Sequence, residues 1–271
     1  MTDDVSDITE LYSGNPQEEH SRLERRQLEY DLTCRYLSQY LPSQGTILEV
    51  GAATGRYTLE LAKRGYTITA VDLSAALIEN CRKNLVDEGL EQQVRLVVAD
   101  ARNLSEVTEK GFDAVLLMGP LYHLVVKADR KLALKEAFNR LRAGGLIFSS
   151  FISRFGTIGD LIKNVPGWIE DQAKVRSLIE RGKRPDGYPR GGFRGYFAQA
   201  SEIAPLHKAV GFKTLVVAGV EPVIAAEDES YNKLQEKQRQ LWLDLLFELS
   251  VEKSIIGASR HLLYVGKKRN E

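Results

Sequence analysis

Apolar residues along this chain follow two alternating rhythms. Short runs rich in β-branched residues, bounded by glycine or polar positions, predict buried strands. Between them lie stretches where apolar positions recur every three or four residues, the period of a helix face. From about Glu18 to Leu41 the spacing predicts a helix, with Tyr30, Cys34, Leu37 and Leu41 on one face and Pro42 and Gly45 ending it. TILEVG (46–51) predicts a strand, residues 55–64 a helix, and YTITAVD (66–72) a second strand. Ser74 is placed to cap a third helix, whose Leu77, Ile78, Cys81 and Leu85 form one stripe. VRLVVAD (94–100), FDAVLLM (112–118), a helix from about Asp129 to Arg142 and GLIFSSFI (145–152) continue the alternation. Gly144 and Gly145 suit the left-handed turn that closes that helix.

Five apolar strands alternating with helices imply a parallel sheet covered on both faces. After residue 152 the rhythm changes. Residues 157–192 make a long excursion, 201–219 return to a helix and a strand, and 221–257 make a second excursion with an amphipathic helix near 231–250. HLLYVGKK (261–268) is a last strand. The expected fold is α/β: a doubly wound, mostly parallel seven-stranded sheet with helices on both faces and helical lid insertions. Residues 1–44 are expected to form an N-terminal helical cap. Residues 45–271 then form one domain, with insertions near 157–200 and 221–257.

Composition narrows the function. The 271 residues are 43% hydrophobic and 27% charged, which is ordinary for a chain with a buried core. Lysine plus arginine balance aspartate plus glutamate, 37 against 37, so the chain lacks the overall basic field that duplex nucleic acid or an anionic membrane demands. Cys34 and Cys81 read as reduced, packed thiols, and no Cys/His cluster has the spacing of a metal site. The acidic start MTDDVSDITE has no apolar core, so no secretory signal is expected, and no apolar run is long enough to span a bilayer. A cytoplasmic protein is expected.

The most informative stretch is ILEVGAATGRYTLELAKRG (47–65), a buried strand entering a small-residue turn and then a helix. Small residues let backbone approach a ligand, and ligands of open parallel sheets bind beyond the carboxyl ends of the strands. Asp72 closes the next strand, where a carboxylate can accept from both hydroxyls of a ribose. The dinucleotide fingerprint would need glycine at 51, 53 and 56, but those positions hold Gly51, Ala53 and Arg56. Small residues fall instead at 51, 53 and 55, with Glu49 two places before the first glycine.

This is the E-x-G-x-G-x-G pattern of class I, Rossmann-like S-adenosylmethionine-dependent methyltransferases, with Ala53 in place of the middle glycine. VDLS (71–74), VVADARNL (97–104), FDAVLLMGPLYHL (112–124) and LRAGGLIFSSFISRFG (141–156) resemble successive motifs of that superfamily in the right order. The chain is also similar to a bacterial subgroup carrying GPLYHL after the fourth strand and FISR after the fifth. The resemblance implies S-adenosylmethionine as cofactor and S-adenosylhomocysteine as product. By the same resemblance Glu49, Gly51, Ala53 and Gly55 line the methionine half. Asp72 holds the ribose, Leu73 packs beside the adenine, Asp100 and Ala101 meet its edge, and Met118 and Gly119 lie near the sulfonium.

Methyl transfer asks the protein to align, desolvate and, where needed, remove a proton. His123, after a strand end on the ligand side, is the expected base, with Tyr122 beside it. His20, His207 and His261 read as structural, on surface faces or a late strand. Arg154 and Phe155 face the site by topology, and Arg194 and Tyr196 belong to a basic, aromatic stretch, 181–197, which makes all four acceptor-side candidates. The expected function is methyl transfer to a small-molecule acceptor under a helical lid. RNA methylation through the 181–197 patch, or a non-catalytic S-adenosylmethionine-binding regulator, are the alternatives.

Overall fold

The computed structural model describes residues 2–14, 21, 25–183, 195–223 and 228–269. Two helices precede the sheet, α1 (Ser6–Gly14) and α2 (Gln27–Tyr40). β1 (Thr46–Val50), α3 (Arg56–Lys63), β2 (Thr67–Asp72), α4 (Ala75–Asp87), β3 (Val94–Val98) and β4 (Phe112–Leu117) follow. One helical turn, α5 (Pro120–His123), leads to α6 (Lys127–Arg140) and the long β5 (Leu141–Ser153). Next come α7 (Thr157–Asn164), α8 (Gln172–Arg181), β6 (Phe197–Ala198), α9 (Ala200–Lys208) and β7 (Phe212–Gly219). α10 (Asp228–Asn232), α11 (Glu236–Leu249) and β8 (His261–Lys268) end the described fold.

The strands lie in the order β3-β2-β1-β4-β5-β8-β7, and the two-residue β6 pairs with the end of β5. Pairing is parallel from β3 through to β5, whereas β8 is antiparallel to both β5 and β7. The order reverses between β1 and β4. That reversal opens a crevice at their carboxyl ends.

Side chains alternate across the sheet and build two cores. Leu48, Val50, Val71, Val115 and Leu117 pack with Leu134 and Ala137 of α6 and Ile203 of α9. Ile47, Ile68, Ala70, Ala114 and Leu116 pack on the other face with Leu28, Leu32, Tyr36 and Leu37 of α2 and Leu61 of α3. Glu49 shares the parity of Ile47 and so faces the α2–α3 side. Ser74 caps α4 as expected, accepting from the Leu77 N–H, and Leu77, Ile78, Cys81 and Leu85 are its buried stripe.

Several expectations need correction. The first long helix does not run through to 41: Arg26 leaves helical geometry (φ −96°, ψ 62°) and α2 ends at Tyr40; residues 18–20 and 22–24 lie outside the described residues. Its buried stripe is Leu28, Leu32, Thr33, Tyr36 and Leu37. Tyr30 and Cys34 are only partly buried, because α2 also borders a cavity and bonds to α10 and α11 through Asp31–Tyr231 (2.8 Å) and Tyr36–Ser250 (2.5 Å). The helix expected near 231–250 is two, α10 and α11. α1 and β6 were not anticipated.

His207 is not on a surface. It is fully buried, with Nδ1 2.8 Å from the Ile203 carbonyl, Nε2 2.8 Å from Ser149 Oγ, and its ring stacked on Tyr264 at 3.6 Å. A carbonyl only accepts, so Nδ1 carries the proton and Nε2 accepts from the serine. Burial pushes the ring's pKa from 6.5 down to about 3. The neutral ring therefore contributes stability that is complete above pH 6.5 and declines as pH falls toward 3. Denaturant unfolding between pH 7 and 4 should show a loss of up to about 1.4 kcal/mol per pH unit from this group. His207→Gln should lower stability at pH 7 and remove that part of the slope. A slope unchanged in the variant would mean that the ring is already charged in the fold.

Candidate active site

The turn after β1 is built from left-handed backbone. Gly51, Ala53 and Gly55 have φ of 86°, 50° and 90°. A Cβ on Gly51 would run into the Met118 carbonyl oxygen, and one on Gly55 would come within 2.5 Å of Cys81 Sγ. Glycine is needed at both places for conformation and for closeness. Ala53 takes the same region at a cost of about 1–2 kcal/mol. Three hydrogen bonds hold the turn there: the Gly51 and Ala52 N–H groups donate to the Val71 carbonyl (2.8 and 3.0 Å), and the Ala53 N–H donates to Asp72 Oδ2 (2.9 Å). The other oxygen of Asp72 accepts from the Ser74 N–H (2.9 Å).

A cavity runs along this edge of the sheet. Glu49, Gly51, Ala53, Asp72, Leu73, Asp100, Ala101, Met118, Gly119, Tyr122 and His123 all line it. Gly55 does not; it stands behind the wall, at the start of α3. Since β2 and β3 lie on one side of β1 and β4, Asp72 and Asp100 mark one end of the cavity. Ser150 and His261, from β5 and β8, mark the other.

Glu49 is buried and accepts from Thr58 Oγ1 at 2.6 Å. Burial, assisted by the charge of Asp72, pushes its pKa up to about 8. A carboxyl held neutral in a cavity wall favours a cationic ligand, which would ionise it. Asp100 is paired with Arg102, whose other contacts are the Asp129 carboxylate (2.8 Å) and the Asp3 carbonyl (2.6 Å). The Asp3 N–H donates in turn to Asp129 (2.9 Å). The N-terminal segment is thus fastened at this end of the cavity, where Val5, Ile8, Thr9 and Tyr12 form part of the wall. Tyr12 also reaches His123, hydroxyl to Nε2, at 3.0 Å.

The acceptor-side candidates are not brought together. Arg154 is buried away from the cavity, bonded to the Phe197 carbonyl and to both oxygens of Glu202 (3.1 and 3.0 Å). Phe155 is exposed, and Tyr196 bonds Glu202 (2.5 Å) beneath the Arg130 guanidinium. Arg194 lies outside the described residues, as do Arg184, Arg190 and His20.

Sequence reasoning missed a polar and aromatic wall at the far end. Arg26, Glu29, Tyr30 and Thr33 come from α2 and the residue before it, and Arg56 and Tyr57 open α3. His261, read as structural, also lines the cavity, with Nδ1 2.6 Å from Glu221. Glu29, Glu221 and His261 bring ligand-type atoms within 4.8 Å of one another, with Arg26 and Arg260 on the same groups. Arg56 and Tyr57 directly follow the turn, and that position was the signal available in the sequence.

Residues 47–145 match a protein family described as a methyltransferase domain. The tRNA 5-carboxymethoxyuridine methyltransferase of Escherichia coli is 25% identical over 188 residues, covering 68% of this chain and 69% of that one. A ubiquinone biosynthesis O-methyltransferase of Pseudomonas fluorescens is 28% identical over 108 residues, 40% of this chain and 44% of that one. Among solved structures, an S-adenosylmethionine-dependent methyltransferase of Thermotoga maritima, described as a possible histamine N-methyltransferase, superposes with a TM-score of 0.61. It shares 17% identity over 97% of this chain and 100% of its own. All three are described as methyltransferases, and their descriptions name different acceptors. Among the described residues no helix is long and apolar enough to cross a membrane.

Gly55→Ala should cost roughly 2–4 kcal/mol, combining positive φ with the clash on Cys81. Adding Cys81→Ala should recover the clash but leave about 1–2 kcal/mol of backbone strain. Denaturant unfolding of the single and double variants measures both parts. Full additivity would mean that the turn relaxes away from Cys81.

Proposed function

We propose that this chain is an S-adenosylmethionine-dependent methyltransferase and that it methylates a small-molecule acceptor enclosed beneath its N-terminal helices. One observation carries this reading. The N-terminal segment and α2, within the proposed 1–44 cap, wall the same cavity as the turn after β1. A nucleic-acid strand asks instead for an open, basic groove with stacking platforms.

The residues present fit the cofactor. When bound, S-adenosylmethionine supplies a methyl group activated on a sulfonium. Asp72 is proposed to accept from the ribose hydroxyls, Leu73 to pack by the adenine, and Asp100 and Ala101 to meet its edge. Glu49, Gly51 and Ala53 are proposed to take the methionyl end, where a buried carboxylate suits cationic charge. Gly55 keeps the turn in shape from behind. Met118 and Gly119 stand at the end of β4, with Tyr122 and His123 beside them, where an acceptor approaches. His123 also carries α1 through Tyr12.

A second reading, RNA methylation, is favoured by the similarity to the tRNA methyltransferase. Arg181 and Lys183 are the described basic residues of the 181–197 stretch that would serve it. Incubation with labelled methyl donor and a panel of phenols, amines, thiols, small acids and transfer RNA separates the two. Label on a small molecule is expected, and label on RNA alone would overturn the proposal.

Two measurements test the cofactor assignments. Asp72→Ala should weaken S-adenosylhomocysteine binding by about 1.5–3 kcal/mol by calorimetry, the loss of charged hydrogen bonds. Unchanged affinity in a folded variant removes that role. Since a cationic ligand favours the charged form of Glu49, cofactor affinity should rise with pH, by up to tenfold per unit, until about pH 8. Glu49→Gln should flatten that dependence. An equal slope in both proteins places the titrating group elsewhere.

A further inference from the structure

Among the described residues two imidazoles border the cavity, His123 and His261. β8 runs antiparallel to β5, with His261 opposite Ile152, so its amino end lies at the edge where the parallel strands finish. His261 is therefore carried to the far end of the cavity by topology.

Its surroundings fix its state. Nδ1 lies 2.6 Å from Glu221 Oε2, and both side chains are almost fully buried, at 5% and 1% exposure. Glu221 is itself pinned: its N–H donates to Ser259 Oγ (2.8 Å), that hydroxyl donates to the His261 carbonyl (2.8 Å), and Arg260 bonds its carboxylate. Arg26 Nη1 lies against the ring, 2.9 Å from Nε2 and 3.4 Å from Nδ1. A carboxylate only accepts, so Nδ1 carries a proton facing Glu221, and Nε2 is the nitrogen through which a neutral ring can take up another. A neutral imidazole with an orienting carboxylate behind it is the arrangement of a general base. The alternative, a metal ion among Glu29, Glu221 and His261, has little to neutralise, because Arg26 and Arg260 already supply two positive charges there.

The wall beside this dyad is aromatic. Tyr30 and Tyr57 stack, with centroids 5.4 Å apart and planes 26° apart, and the Arg56 guanidinium lies 4.0 Å over Tyr30. Burial pushes both phenols above their ordinary range, so they pack as neutral rings. Such a wall suits a flat aromatic ring.

We infer that His261, oriented by Glu221, is the base for an aromatic hydroxyl acceptor, a phenol, whose oxygen enters between Nε2 and Arg26. This rests on the small-molecule reading. The phenol's O–H bond breaks and its proton passes to Nε2, while an oxygen pair forms the bond to the methyl carbon. The carbon–sulfur pair returns to sulfur, and the imidazolium afterwards yields its proton to water. Arg26 donates to the oxygen as negative charge develops. His123, bonded to Tyr12, stays with the cap.

Single-turnover rates with phenols graded in acidity, from phenol itself to nitrophenols, test the inference in wild type and His261→Gln. Phenol should lose roughly 10²–10⁴-fold in the variant. The loss should shrink toward none for nitrophenols already ionised in solution, and S-adenosylhomocysteine affinity should stay within about twofold. Nitrogen-15 spectra of the wild-type imidazoles give a readout apart from activity. A proton on Nδ1 and a bare Nε2 for His261 at neutral pH are expected, and the reverse tautomer overturns the assignment. A loss equal across the series, or none, also overturns it. Methylation of amines or thiols without phenols refutes this inference and leaves the small-molecule reading intact, whereas label on transfer RNA alone refutes both. Should His261→Gln fail to fold, the wild-type spectrum decides.

Discussion

One carboxylate ties together the two loops that form the floor of the cavity. Asp72 accepts the Ala53 N–H with one oxygen and the Ser74 N–H with the other. The first bond holds a left-handed, non-glycine residue in a turn that is strained on its own. The second sets the entry of α4, whose cap is Ser74. Packing completes the constraint: Gly51 is pressed against the end of β4 and Gly55 against Cys81 of α4. The cavity wall at Met118 and the position of α3 follow from these contacts, and so does the burial of Glu49 beneath the turn.

Charge is distributed along the cavity in a way that matches this floor. Asp72 and Asp100 stand at one end, the neutral carboxyl of Glu49 lies near the middle, and Glu29 and His261 stand at the other end. Arg102 compensates Asp100, while Arg26 and Arg260 compensate the far group. The acidic residues are therefore held by partners arriving from outside the sheet. This is how buried charge persists in an otherwise apolar core.

Most strands and helices between 46 and 153 were legible because their apolar positions are periodic, although Gly144 and Gly145, expected to close α6, lie inside β5, which begins directly at Leu141. Asp72, Gly51 and Ser74 were legible from their place at element ends. α1 was not, since SDITELYSG buries only Ile8 and its order comes from contacts distant in sequence. The Glu221–His261 dyad was hidden for a similar reason: it joins residues 40 apart in sequence through the β7–β8 pairing. Arg154 shows the opposite error. Topology places its backbone correctly at the end of β5, but its guanidinium turns inward to Glu202, which no local pattern reveals. Tyr30 was placed on one face with Cys34, Leu37 and Leu41, and a helix beside a cavity has the same apolar spacing as one beside a core.

α1 is nine residues long, well short of the length at which an isolated helix persists in water. Its helicity is therefore lent by the surfaces it touches, chiefly Arg102 through Asp3, Ser74 through Ser13, and His123 through Tyr12. Melting this one segment exposes the Asp72 and Asp100 end of the cavity without disturbing a single strand pairing. Sub-global unfolding of residues 2–14 consequently opens that end of the cavity at little cost, and the amides there belong among the fastest to exchange hydrogen with solvent.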